Sequence, residues 1–194
     1  MDINEQLLNN IEKNNIDEVI KLLNKGADIN YNNGKPLDYG IDTKDYQMVK
    51  LLLDMGANMD NGFFLSNTCE NNNSEIVELL LKEGIDCNEH FDTLVESCIY
   101  NDNGNNLSLL IEYGIIQIQM ITNQEIYFED TNKYMLIWDA CLEKKKKNIL
   151  EFIINHYPEI IPNDINTSLI EQQYIQKYNF IKMLINRNLI DVPD

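Results

Sequence analysis

The chain has 194 residues, 44% of them hydrophobic, and its 32 acidic and 15 basic side chains leave a formal charge of −17. That apolar fraction excludes wholesale disorder, and the length suits one domain or a modest repeat array. So acidic a surface repels phosphate backbones and anionic headgroups, which excludes nucleic acid and membrane as primary partners and favours a basic protein.

Taken in chain order, the pattern is one of paired helices. Leu7 and Ile11, four apart, anchor a short first helix, and Val19, Leu22 and Leu23 form one apolar face of a second. That helix stops at Lys25-Gly26-Ala27-Asp28-Ile29-Asn30. The scheme returns with Leu37 and Ile41, then Val49, Leu52 and Leu53, stopping at Met55-Gly56-Ala57-Asn58-Met59-Asp60. It returns again with Leu65 and Cys69, then Val77, Leu80 and Leu81, stopping at Glu83-Gly84-Ile85-Asp86-Cys87-Asn88. A fourth copy has Leu94 and Cys98, then Leu107, Leu110 and Ile111, stopping at Tyr113-Gly114-Ile115-Ile116. The glycines recur at intervals of 30, 28 and 30 residues, each where a helix must end in a left-handed residue, which is cheapest without a Cβ.

Two worn copies follow. Ile137 and Cys141 anchor the fifth, whose second helix runs from Leu150 to Tyr157, with Tyr157 at the glycine position. The sixth has Leu169 and Gln173, then Ile181 to Asn188, with Asn188 substituting for glycine. The chain reads as a single domain, 1–194, of six units: 1–30, 31–60, 61–88, 89–117, 118–161 and 162–194.

These motifs resemble the ankyrin repeat family, whose period is about 33 residues. Lys35-Pro36-Leu37-Asp38 stands where that family has Thr-Pro-Leu-His, and Gly26-Ala27-Asp28-Ile29-Asn30 where it has Gly-Ala-Asp-Val-Asn. Pro36 opens a first helix, where its missing N–H costs nothing. The family's Gly-His turn is absent. The resemblance implies an all-α ankyrin-repeat solenoid of helix-turn-helix units with hairpin loops. The Asn- and Ile-rich style is similar to ankyrin proteins of AT-rich amoebal giant viruses, which implies action on a host protein in the host cytoplasm.

The interval from Gly114 to Tyr157 is 43 residues, so the fifth unit carries an insertion, placed within Ile115 to Lys133. Ile116-Gln117-Ile118-Gln119-Met120 alternates with period two and is expected to form an elongated hairpin.

Chemistry is sparse. Cys69, Cys98 and Cys141 share one buried position on successive first helices, which sit about 8–10 Å apart, too far for disulfides. Cys87 takes an apolar hairpin position, so all four thiols read as core in a reducing compartment. His90 belongs to a hairpin and His156 to a helix end, and neither has metal-ligand company. No phosphate loop or nucleophile motif is present, so neither a cofactor, a metal nor an enzymatic activity is expected. An enzyme sited in the inserted finger would lack a nucleophile–base pair. Lys144-Lys145-Lys146-Lys147, between the helices of the fifth unit, reads as a solvated turn or a docking point. Trp138, beside the anchor Ile137, reads as core.

The expected function is a non-catalytic protein-interaction module, soluble, cytoplasmic and monomeric. No apolar run approaches the roughly 20 residues of a membrane span, and the first residues lack an export signal. Partner contacts are implied at hairpin tips and exposed first-helix positions: Tyr31, Asn32 and Asp42, then Asp60, Phe63 and Glu70, Phe91 and Tyr100, Tyr134, Leu142 and Glu143, and Tyr174. The alternative is a self-assembling structural component, for instance a dimer through the C-terminal units.

Overall fold

The structure, a computed structural model, describes residues 2–59, 63–70, 72–86, 91–117, 120–123, 125–128, 133–137, 140–141 and 146–157. The sixth unit, Cys87, His90 and Trp138 lie outside the described residues. The chain divides into two compact units, 1–97 and 98–194.

In the first unit, helices come in pairs: α1 (Ile3–Glu12) with α2 (Ile16–Asn24), α3 (Tyr31–Asp42) with α4 (Tyr46–Asp54), and α5 (Phe63–Glu70) with α6 (Ser74–Lys82). Successive first helices pack on one another, α1 on α3 and α3 on α5, while α4 packs on α6. This is the repeated helix pair that the resemblance to the ankyrin repeat family implies. The anchors Leu7, Ile11, Leu37, Ile41, Leu65 and Cys69 are all buried, as are Val19, Leu22, Val49, Leu52, Val77 and Leu80. The third residue of each second-helix face is less covered: Leu23 and Leu53 are half-buried, and only Leu81 is buried. The apolar stripe instead extends one residue the other way, to Met48 and Ile76.

Each second helix ends as its sequence requires. Gly26 N–H donates to the Leu23 carbonyl and Ala27 N–H to the Leu22 carbonyl, the paired bonds of a Schellman turn. Gly56 and Ala57, and Gly84 and Ile85, repeat them one and two repeats on. The first helices end in left-handed turns without glycine, with both bonds of the pair at Asn14 and Asn72 and the first of them at Lys44. Asn14, Lys44 and Asn72 sit at φ 52°, 57° and 59°, where the family's Gly-His turn would be. Pro36 stands at the true start of α3, since Asn32, Asn33 and Gly34 before it are left-handed.

The second unit takes in the end of α7 (Phe91–Tyr100), followed by α8 (Gly104–Glu112), a single turn α9 (Met120–Asn123) and a two-stranded antiparallel hairpin. Residues 137, 140 and 141 are helical, with Ile137 and Cys141 buried, and α10 (Lys147–His156) packs on α8. Cys69, Cys98 and Cys141 are buried thiols that form no disulfide. Burial drives the Cys141 thiol well above its ordinary pKa, so it is held as an uncharged core group.

Two expectations need correction here. The hairpin falls largely within the expected insertion but not on the alternating residues: β1 (Glu125–Phe128) lies inside Ile115 to Lys133, and β2 (Lys133–Leu136) ends three residues past it. Ile116 is buried and its N–H donates to the Leu110 carbonyl, so it closes the end of α8, and Met120 already begins α9. Burial and capping outweigh a five-residue alternation. Tyr157, at the glycine position, stays at φ −138°, and its N–H donates to the Ile153 carbonyl. The next residue, Pro158, has no N–H to make the second bond of the pair, so α10 ends without a Schellman turn.

Candidate partner-binding face

The first helices of the first unit carry a row of acids. Glu12, Asp42 and Glu70 each lie two residues before the left-handed turn residue of their repeat, and all three are exposed. The row is tied across repeats: Asn67 Nδ2 donates to both Asp38 Oδ1 and Asp42 Oδ1, at 3.3 Å each. One repeat further, Ser97 Oγ donates to Glu70 Oε1 at 3.3 Å. Asp42 and Glu70 are thus each met by the residue three positions earlier in the next first helix. Burial raises the Asp38 carboxyl above the ordinary carboxylate range and neighbouring Asp42 adds to it, against the opposing bond from Asn67. A half-buried acid beside an exposed one concentrates negative potential at the α3–α5 edge.

A second tie runs along the turns between paired helices. Asp45 caps α4 by accepting the Met48 N–H at 2.9 Å and also accepts Asn14 Nδ2 at 2.7 Å. The Met48 bond, with help from Asn14, holds the Asp45 carboxyl below its usual range. Asn73 caps α6 through the Ile76 N–H and donates its own Nδ2 to the Lys44 carbonyl at 3.2 Å. At the opposite ends of the helices, Asn4 Oδ1 receives the Asp28 N–H, and Asn30 Oδ1 the Asn58 N–H. The asparagines that crowd this sequence therefore join neighbouring repeats, work that neither their number nor their spacing announces.

Of the expected contact residues, Asp42 and Glu70 belong to this row. Tyr31 is half-buried, and its hydroxyl donates to Glu5 Oε1 at 3.2 Å, a bond that raises the phenol's pKa. Asn32 is exposed on left-handed backbone at φ 51°. Phe63 and Phe91 are the opening residues of α5 and α7. Tyr100, in the second unit, occupies the turn-minus-two position of its own repeat and is 65% exposed, with Lys146 Nζ 5.4 Å from its ring centroid. Tyr134 lies on β2, paired with Tyr127. Asp60, Leu142, Glu143 and Tyr174 lie outside the described residues. Glu12 was not among the expected contacts; counting back from each inter-helix turn, rather than forward from each helix start, would have found it.

Among the described residues, no group of three or more His, Cys, Asp or Glu side chains is placed to hold a metal ion, and no helix is long and apolar enough to cross a membrane. His156 ends α10, its Nδ1 2.9 Å from the Phe152 carbonyl.

No family model matches the chain. A protein of Acanthamoeba polyphaga mimivirus named as an ankyrin repeat protein is 25% identical over 183 residues, covering 91% of this chain and 47% of that protein. The chain thus spans about half the length of the curated relative it matches. Together with the paired helices and their repeated turns, this similarity gives the fold its class: an all-α, ankyrin-type repeat carrying one short hairpin.

Proposed function

We propose that the chain is a non-catalytic protein-binding module whose partner docks on the exposed face of the first helices, with Asp42 and Glu70 meeting basic groups. The observation that carries this reading is the recurrence of an exposed acid at one register position in three adjacent repeats. The repeat itself does not require an acid there, since Tyr100 occupies the same position in the fourth. Opposite charges across an interface chiefly raise the association rate and select the partner, so a basic face is the complement this row favours. Tyr100, Phe63, Phe91 and Tyr134 are proposed as aromatic anchors, with Tyr31 steadied by Glu5. The likeness to a giant-virus protein supports a source of that kind, and with it a host cytoplasmic protein as partner.

The test is capture from amoebal lysate by the wild-type chain and by an Asp42→Asn, Glu70→Gln double variant. Proteins retained by the first and lost by the second, in a salt-dependent manner, support the reading; identical retention sinks it. The module is proposed to act as a monomer, so light scattering at physiological salt should give about the chain mass of 22.7 kDa. A value near twice that would favour self-assembly.

A further inference from the structure

The fifth repeat lacks the cap that the second, third and fourth repeats supply for themselves. Helices α4, α6 and α8 follow Asp45, Asn73 and Asn103, each of which accepts the N–H three residues on. Helix α10 follows Lys146, whose ammonium can only donate and makes no such bond. The orphan N–H groups of Asn148 and Ile149 donate instead to the carboxylate of Asp102, at 3.1 Å each, from 46 and 47 residues away in sequence. Lys146 returns the favour: its Nζ donates to the carbonyl of Tyr100, the last residue of α7, and lies over the Tyr100 ring. Beside this exchange, Gly104 admits α10 closely, since a Cβ there would lie 3.2 Å from Phe152 Cβ and 3.3 Å from the Asn148 carbonyl oxygen. The inserted hairpin, meanwhile, leaves and rejoins the repeat at one place. Glu125 pairs with Leu136, and Cα atoms paired across antiparallel strands are about 4.5–5.5 Å apart.

We propose that Asp102 and Lys146 form a reciprocal clasp that sets the second helix of the fifth repeat on the fourth, and that the hairpin at 125–136 is an appended arm which the repeat frame does not need for folding. The clasp accounts for part of the lysine block: Lys146 is engaged with Tyr100, and Lys147 pairs with Glu151 at 3.4 Å. It also accounts for an aspartate in a left-handed turn. Asp102 sits at φ 53°, which places its carboxylate beyond the end of α7, toward the start of α10.

The test uses the full chain and three variants, read by hydrogen exchange at the Asn148 and Ile149 amides and by thermal melting. Asp102→Gly removes the carboxylate while relaxing the left-handed backbone, so any loss belongs to the cap. Asp102→Asn keeps one acceptor and tolerates the same φ. The third variant replaces residues 125–136 with two glycines. Asp102→Gly should speed exchange at the two amides by about tenfold or more and lower the melting temperature by about 2–8 °C, with Asp102→Asn between it and wild type. Excision should leave both amides protected within about threefold and the melting temperature within about 3 °C. Protection that survives Asp102→Gly overturns the clasp. Excision that exposes the two amides, or that prevents folding, overturns the arm.

Discussion

Every repeat in the first unit turns the chain twice, and the two turns solve one problem with different residues. The outer turn, after each second helix, uses Gly26, Gly56 and Gly84 at φ 94°, 93° and 81°. A Cβ built at any of the three meets nothing within 4 Å, so glycine is needed there for its backbone and not for space. The inner turn, after each first helix, has the same left-handed geometry but uses Asn14, Lys44 and Asn72; the outer turn's closing bond recurs at Asn14 and Asn72, while at Lys44 the Thr43 hydroxyl takes its place between the Asp45 N–H and the Gly40 carbonyl. Asparagine visits the left-handed region at modest cost, whereas lysine has no such allowance. The inner turns hold because the neighbouring repeat pins them: Asn14 bonds to Asp45, and Asn73 to the Lys44 carbonyl. The outer turns are tied too, by Asn4 to the Asp28 N–H and by Asn30 to the Asn58 N–H, but two residues past the glycine, so the left-handed position itself needs a residue that adopts it cheaply.

The largest effect should come from the core beneath an outer turn. Leu52 is fully buried, and its carbonyl receives the Ala57 N–H that closes the Gly56 turn. Leu52→Ala should cost about 2–5 kcal/mol in urea unfolding, and a cost below 1 kcal/mol would mean the outer turns carry little of the fold.

Gly56→Ala comes next, at about 1–2 kcal/mol, all of it conformational because no atom obstructs the new methyl. A neutral result would break the distinction between the two kinds of turn.

The inner turn should respond with the opposite sign. Lys44→Gly should stabilise by up to about 1 kcal/mol, by relieving a strained residue whose neighbour-held carbonyl is kept. Asn72→Gly should gain less, and equal gains would show that residue type does not set the strain.

The smallest effects concern two aspartates with opposite pH signatures. The Asp45 carboxyl is depressed in the fold, so its contribution is present above the unfolded pKa of about 3.9 and fades as pH falls through its lower folded value. Asp38 is raised, so its ionisation weakens the fold as pH climbs from about 3.9 through its folded value. Asp38→Asn should therefore raise the melting temperature slightly at pH 7, whereas Asp45→Ala should lower it, by the loss of a cap typically worth about 1 kcal/mol. Parallel pH profiles for the two variants would contradict these assignments.

Much of the frame was legible in the residues. Leu7, Ile11, Leu37, Ile41, Leu65 and Cys69 read as anchors from a four-residue offset and are buried in the fold. The acids Asp42 and Glu70 were legible as exposed first-helix positions, though not the row that Glu12 completes. The inner turns were not, because only the absence of a Gly-His pair marked their place. The hairpin was legible as an insertion but not in its strands: Ile126, Tyr127, Phe128 and Tyr134 to Leu136 offer no clean alternation, whereas the alternating stretch begins with Ile116, which closes α8, and ends with Met120, which opens α9.

The sequence by itself determined where second helices begin and stop in the first four repeats. Those signals are local: a 3.6-residue apolar period fixes the buried face, and a glycine is the one residue that adopts φ near 90° freely. Only the tertiary structure decided which polar groups meet across repeats, from Asn67 with Asp42 to Asp102 with the first turn of α10. Those partners lie 25 to 47 residues apart. Any of many asparagines and acids could have served, and the packing of one helix pair on the next selected the ones that reach.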